Sequence, residues 1–109
     1  MKYEDVYELY QRGMALLGTR NPEAAAVVLK RAALGEPARS SIREALGRAY
    51  FASGRYGLAA REFKEVVELY PTNDYAHFCL AKCAEKLGDE KLFRRHSRLA
   101  AVMGYEDGS

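Results

Sequence analysis

A chain of 109 residues, 49% hydrophobic and 29% charged, is long enough for one domain and too short for two ordinary ones. Its 17 Lys and Arg against 15 Asp and Glu exclude a general electrostatic attraction to nucleic acid or to an anionic membrane. No apolar run approaches the roughly 18 residues of a membrane span, and the opening MKYEDVYELY lacks the apolar core of a signal peptide, so a cytoplasmic location is expected.

Helical spacing runs through the whole chain, and neither sustained alternation nor an Asn-Gly or Asp-Gly hairpin signal marks a strand. The first helix ends at GTRNP, residues 18–22. On its wheel Val6, Leu9, Gly13 and Leu16 form one stripe, and Tyr3, Tyr7, Tyr10, Met14 and Leu17 form a second beside it. Together they cover about half the circumference, where about 100° suffices for a helix lying on one neighbour. The second helix opens on Asn21 as N-cap with Pro22 in its first turn, and it stops at GEP, residues 35–37.

SGR, residues 53–55, separates a third helix from a fourth inside the stretch LGRAYFASGRYGLAAREF, where small and large residues are interleaved. PTND, residues 71–74, leads into the fifth helix; Gly88 and Asp89 then supply a left-handed stop followed directly by the N-cap of the sixth. That last helix, Asp89 to about Met103, keeps Leu92, Phe93, His96, Leu99, Ala100 and Met103 on one side. Lys91, Arg94, Arg95 and Arg98 occupy the remainder, the pattern of a terminal cap with a solvated outer face.

Helices of this length are marginal alone, so each must be held by a neighbour. The neighbours are copies. Gly13 and Gly47, Ala25 and Ala59, Pro37 and Pro71, Leu46 and Leu80, and Gly54 and Gly88 each stand 34 residues apart. That is the period of the tetratricopeptide helix-turn-helix repeat, which the chain resembles over nearly its whole length. The middle copy carries Leu46, Gly47, Tyr50, Gly54, Tyr56, Ala59, Phe63 and Pro71 at the family positions, with Val66 in place of a late Ala. The first keeps Gly13, Leu16, Ala25, Leu29, Ala32 and Pro37; the third keeps Leu80, Ala81, Gly88 and Ala100, with Ala84 and Phe93 exchanged in size against the usual Tyr and Ala.

The resemblance implies an all-α solenoid of three repeats, a right-handed superhelix forming a single domain over 1–109. The repeats would span about 6–39, 40–73 and 74–104, with a tail at 105–109. It also implies that Gly47 faces Ala59 across a close helix pair while Tyr50 and Phe63 fill the space toward the next pair. First helices of successive repeats would line a concave groove, which places Tyr7, Tyr10, Met14, Glu44, Arg48, Phe51, Tyr75, Phe78 and Lys82 on the binding surface. Aromatics and arginine are enriched at binding hot spots, so the set points to a protein or peptide partner. The family's dicarboxylate clamp for chaperone tails is missing, because its positions hold Tyr10, Met14, Ala45, Tyr75 and Cys79; an apolar peptide or a partner helix is favoured instead.

No catalytic constellation is visible, and the chain is expected to be neither an enzyme nor the host of a cofactor. Cys79 and Cys83 share a face, whereas His77 lies on the opposite side of the same helix, so a zinc site there is disfavoured even with His96 as an outside ligand. Reduced thiols packing a helix pair are expected. The alternative to partner binding is self-association into a homo-oligomer; nucleic-acid binding through Arg94, Arg95 and Arg98 ranks below both.

Overall fold

The computed structural model describes residues 5–105, so Tyr3 of the second stripe and tail residues 106–109 lie outside it. Six helices follow in order: α1 (Val6–Gly18), α2 (Pro22–Gly35), α3 (Ser40–Ala52), α4 (Tyr56–Leu69), α5 (Asp74–Leu87) and α6 (Glu90–Val102). There is no strand among the described residues. Each helix packs on the one before and the one after it, and α1 also reaches α3. The stack is elongated, 45 × 25 × 24 Å.

Local chemistry sets the boundaries. Asp5, Asn73 and Asp89 accept hydrogen bonds from the backbone N–H of Tyr7, Ala76 and Leu92 and so begin α1, α5 and α6. Asn21 occupies the N-cap of α2 with Pro22 in the first turn, as its position implied, but its side chain makes no capping bond. Each hairpin closes on a left-handed residue: Arg20 at φ 59°, Gly54 at 78° and Gly88 at 75°, spaced 34 residues apart. In all three the next residue's N–H reaches back to a carbonyl five residues earlier, Leu16, Tyr50 and Ala84, at 2.8–2.9 Å.

Inside the hairpins the close contact differs from the expected one. A Cβ on Gly47 would stand 2.7 Å from Cε2 of Phe63, so it is the Phe63 ring, not Ala59, that uses the space glycine leaves. Phe63 is 1% exposed and packs within its own helix pair while also bordering the gap to the next. The same geometry recurs one repeat earlier, where a Cβ on Gly13 would stand 2.4 Å from Leu29. In the third hairpin the corresponding residues are Ala81 and Ser97, a larger first residue matched with a smaller second one. Ala84 is buried, Phe93 is half-exposed, and both line a depression of about 310 Å³ at the α5–α6 turn.

Candidate functional site

Seven of the nine expected groove residues divide between two depressions. Val6, Tyr7 and Tyr10 of α1 meet Ser41 and Ile42 of α3 and the ion-paired Glu36 and Arg39 around a volume of about 300 Å³. Tyr7 is 64% exposed there, while Tyr10 is half-buried against the core. A second depression of about 310 Å³ lies between α3 and α5, walled by Arg48, Phe51, Phe63, Tyr75, Phe78, Cys79 and Lys82. Five of the nine expected groove residues therefore come together at this second place. Met14 packs on the core and lines neither depression.

The α3–α5 depression forms because α3 presents Arg48 and Phe51 one turn apart, and α5 presents Tyr75, Phe78, Cys79 and Lys82 on one stripe. Phe51 is braced edge-on by Tyr56 at 5.0 Å, and Lys82 places its Nζ 5.7 Å from the Phe78 ring. Glu44 stands apart from the walls, with its Oε1 accepting from Asn73 Nδ2 at 3.1 Å. Burial raises the Glu44 carboxyl above its ordinary range, and the Asn73 bond and Arg48 offset this in part.

Burial likewise raises Cys79 to about 11, against the lowering influence of its hydrogen bond with Tyr75, and raises Cys83 to about 12. Tyr75 is raised too, first by burial and then by its bond with Cys79. Both thiols are therefore protonated at neutral pH and poor nucleophiles, which makes Cys79 an apolar wall of the pocket.

Three contributors were not among the expected groove residues. Phe63 reaches the pocket from α4, and Cys79 lies one turn beyond Tyr75; helical spacing from Tyr75 was the available signal for it. Tyr105 does not line the pocket but packs on two of its walls, with ring centroids 4.5 Å from Phe78 and 6.0 Å from Tyr75. No periodicity marked it, since it follows the last helix. His77, which the wheel separated from the cysteines, meets His96 across α5 and α6. Among the described residues no helix is long and apolar enough to cross a membrane.

The model of the tetratricopeptide repeat family matches residues 10–74 and 44–101. No curated protein matches the sequence significantly. Among solved structures, a point mutant of MamA superposes with a TM-score of 0.87 at 22% identity, covering 95% of this chain and 76% of that one. The Yersinia enterocolitica type III secretion chaperone SycD, in complex with a peptide of the translocator YopD, gives a TM-score of 0.87 at 18% identity over 98% of this chain and 82% of that one. An AMB-1 form of MamA gives 0.86 at 23% identity, and there the chain spans 59% of its length. At these identities the likeness is one of fold.

Proposed function

The chain belongs to the tetratricopeptide repeat family, and from that premise we infer that it is a non-catalytic module that binds a segment of another polypeptide on its concave face. The observation that carries this reading is the α3–α5 depression: a mostly apolar pocket with Arg48 and Lys82 at its walls, open at the surface of a helical stack. SycD holding a YopD peptide supports a segment as the kind of ligand. The partner's large apolar side chain enters between Phe51, Tyr75 and Phe78, and an acidic neighbour pairs with Arg48. Tyr7 and Tyr10, at the other depression, extend the contact along the same face. Met14 supports that face from the core, and Glu44 orients the loop before α5 through Asn73. Affinity comes chiefly from desolvating the rings, while the cations set orientation and on-rate.

A displayed random-peptide library panned against the full chain tests this. Enriched sequences should pair a large apolar residue with an acid, and a chosen peptide should lose at least about tenfold in affinity to Arg48→Glu with Phe78→Ala, roughly 1.4 kcal/mol or more. The helical circular dichroism should remain. Failure to enrich any peptide, or unchanged affinity in the double variant, rejects the groove.

Contact between copies is the second reading. It is favoured by Val27 and Leu34, two turns apart on the outer side of α2 and 63% and 74% exposed. A concentration-independent monomer in light scattering rejects it.

A further inference from the structure

One structural device recurs in the second and third hairpins with different chemistry. In the second, Arg43 ties its first helix to two places: Nε donates to the Pro37 carbonyl at 2.8 Å, and Nη1 donates to Glu62 Oε1 on α4 at 2.9 Å. The residues 34 positions later are His77, Pro71 and His96. They form the same tie: His77 Nε2 lies 2.8 Å from the Pro71 carbonyl, and its Nδ1 lies 2.8 Å from Nδ1 of His96 on α6. Thirty-four positions earlier stand Leu9 and Val28, both buried and apolar. One position thus holds a hydrocarbon pair, then an ion pair, then an imidazole pair.

The proton positions in the third hairpin's tie follow from its partners. A carbonyl only accepts, so Nε2 of His77 carries a hydrogen. Neutral His77 then has a bare Nδ1, which accepts from Nδ1–H of His96. One added proton leaves a single hydrogen between the two Nδ1 atoms, because whichever ring becomes the imidazolium donates to the bare nitrogen of the other. A second proton puts hydrogens on both facing nitrogens at 2.8 Å and two positive charges on rings whose centroids are 5.0 Å apart. That arrangement cannot persist with the rings 5% and 7% exposed.

We propose that His77 and His96 form a proton-counting latch between α5 and α6, which holds through the first proton and releases at the second. Charged groups acting on it from the elements packed around it are Lys64 of α4 and Arg95 of α6, both cations that oppose the second proton. Burial first, then His77, Arg95 and Lys64, lower His96 to about 4. The unfolded chain takes that proton near 6.5, so stability present above pH 6.5 is lost as the pH falls from there through about 4. The released helix carries Tyr105, and its ring leaves Phe78 and Tyr75 at the same step.

Amide exchange of the full chain, corrected for intrinsic rates and followed from about pH 7 to about pH 3.5, tests the latch. Protection of residues 92–102 should fall by about tenfold or more between roughly pH 6 and 4, while that of residues 42–66 changes less than about twofold. His77→Leu with His96→Val, the residues at these positions in the first hairpin, should hold α6 protection within about twofold over the same range. His77→Arg with His96→Glu, the residues of the second, should move the loss to lower pH. A flat profile in the parent, or the same fall in the Leu/Val variant, overturns the proposal. Imidazole NMR titration of the parent is independent of variant folding: two separate steps are expected, with α6 resonances unmoved by the first. A single step near 6.5 for both rings overturns it as well.

Discussion

A Cβ on Gly47 would fall 2.7 Å from the ring of Phe63, which is almost completely buried. Gly47→Ala therefore pits overpacking, about 1–3 kcal/mol, against the roughly 1 kcal/mol that alanine gains in a helix interior. Overpacking at 2.7 Å wins, and a net loss of up to about 2 kcal/mol is expected in urea denaturation. The loss should shrink when Phe63→Leu removes the ring, which a double-mutant cycle measures. An equal loss in both backgrounds would show that Phe63 is not the obstacle. At this scale the sequence was informative about size and silent about pairing. Small Gly47 and Gly13 marked close approaches correctly, but which side chain approached depended on helix rotation, and Phe63 took the place expected of Ala59.

Helix starts depend on single side chains, and Asn73 serves two elements at once. Its Oδ1 accepts from Ala76 N–H at the start of α5, and its Nδ2 donates to Glu44 on α3. Asn73→Ala should cost about 1–2 kcal/mol, the cap plus the bond to a partly buried carboxyl. Asn73→Asp keeps the cap yet sets a second carboxylate against Glu44, so it should recover only part of the loss, again read by denaturation. Six helices and their breaks were legible because Gly, Pro, Asn and Asp act through local backbone geometry. The α5–α6 tie was not legible from either helix alone. His77 and His96 each sit where an apolar wheel position would be read as core, and only alignment at 34 residues with Arg43 and Glu62 reveals the shared role.

For the molecule as a whole, the repeat period carried the architecture, while the division of the expected groove residues between two depressions emerged only from packing. Tyr7 and Tyr10 ended in one depression and Arg48, Phe51, Tyr75, Phe78 and Lys82 in another, since α1 leans on α3 and the gap between α3 and α5 stays open. Wheel positions place residues on a face but do not measure the spacing between neighbouring helices. Packing that is almost wholly between consecutive helices also predicts a gradient of protection. At neutral pH, amides in the middle of α3 and α4, which have neighbours on both sides, should exchange more slowly than those of α1 and α6. Uniform protection along the chain would contradict this.

The same next-door arrangement governs how the protein yields to force. Among the described residues the helices pack on their chain neighbours, with α1 also reaching α3, so tension along the stack loads a series of links rather than a closed cage. The ends give way first and the middle survives as a short spring, which can rewind because every piece finds its mate nearby along the chain. A module built this way can be stretched and recover without losing its place.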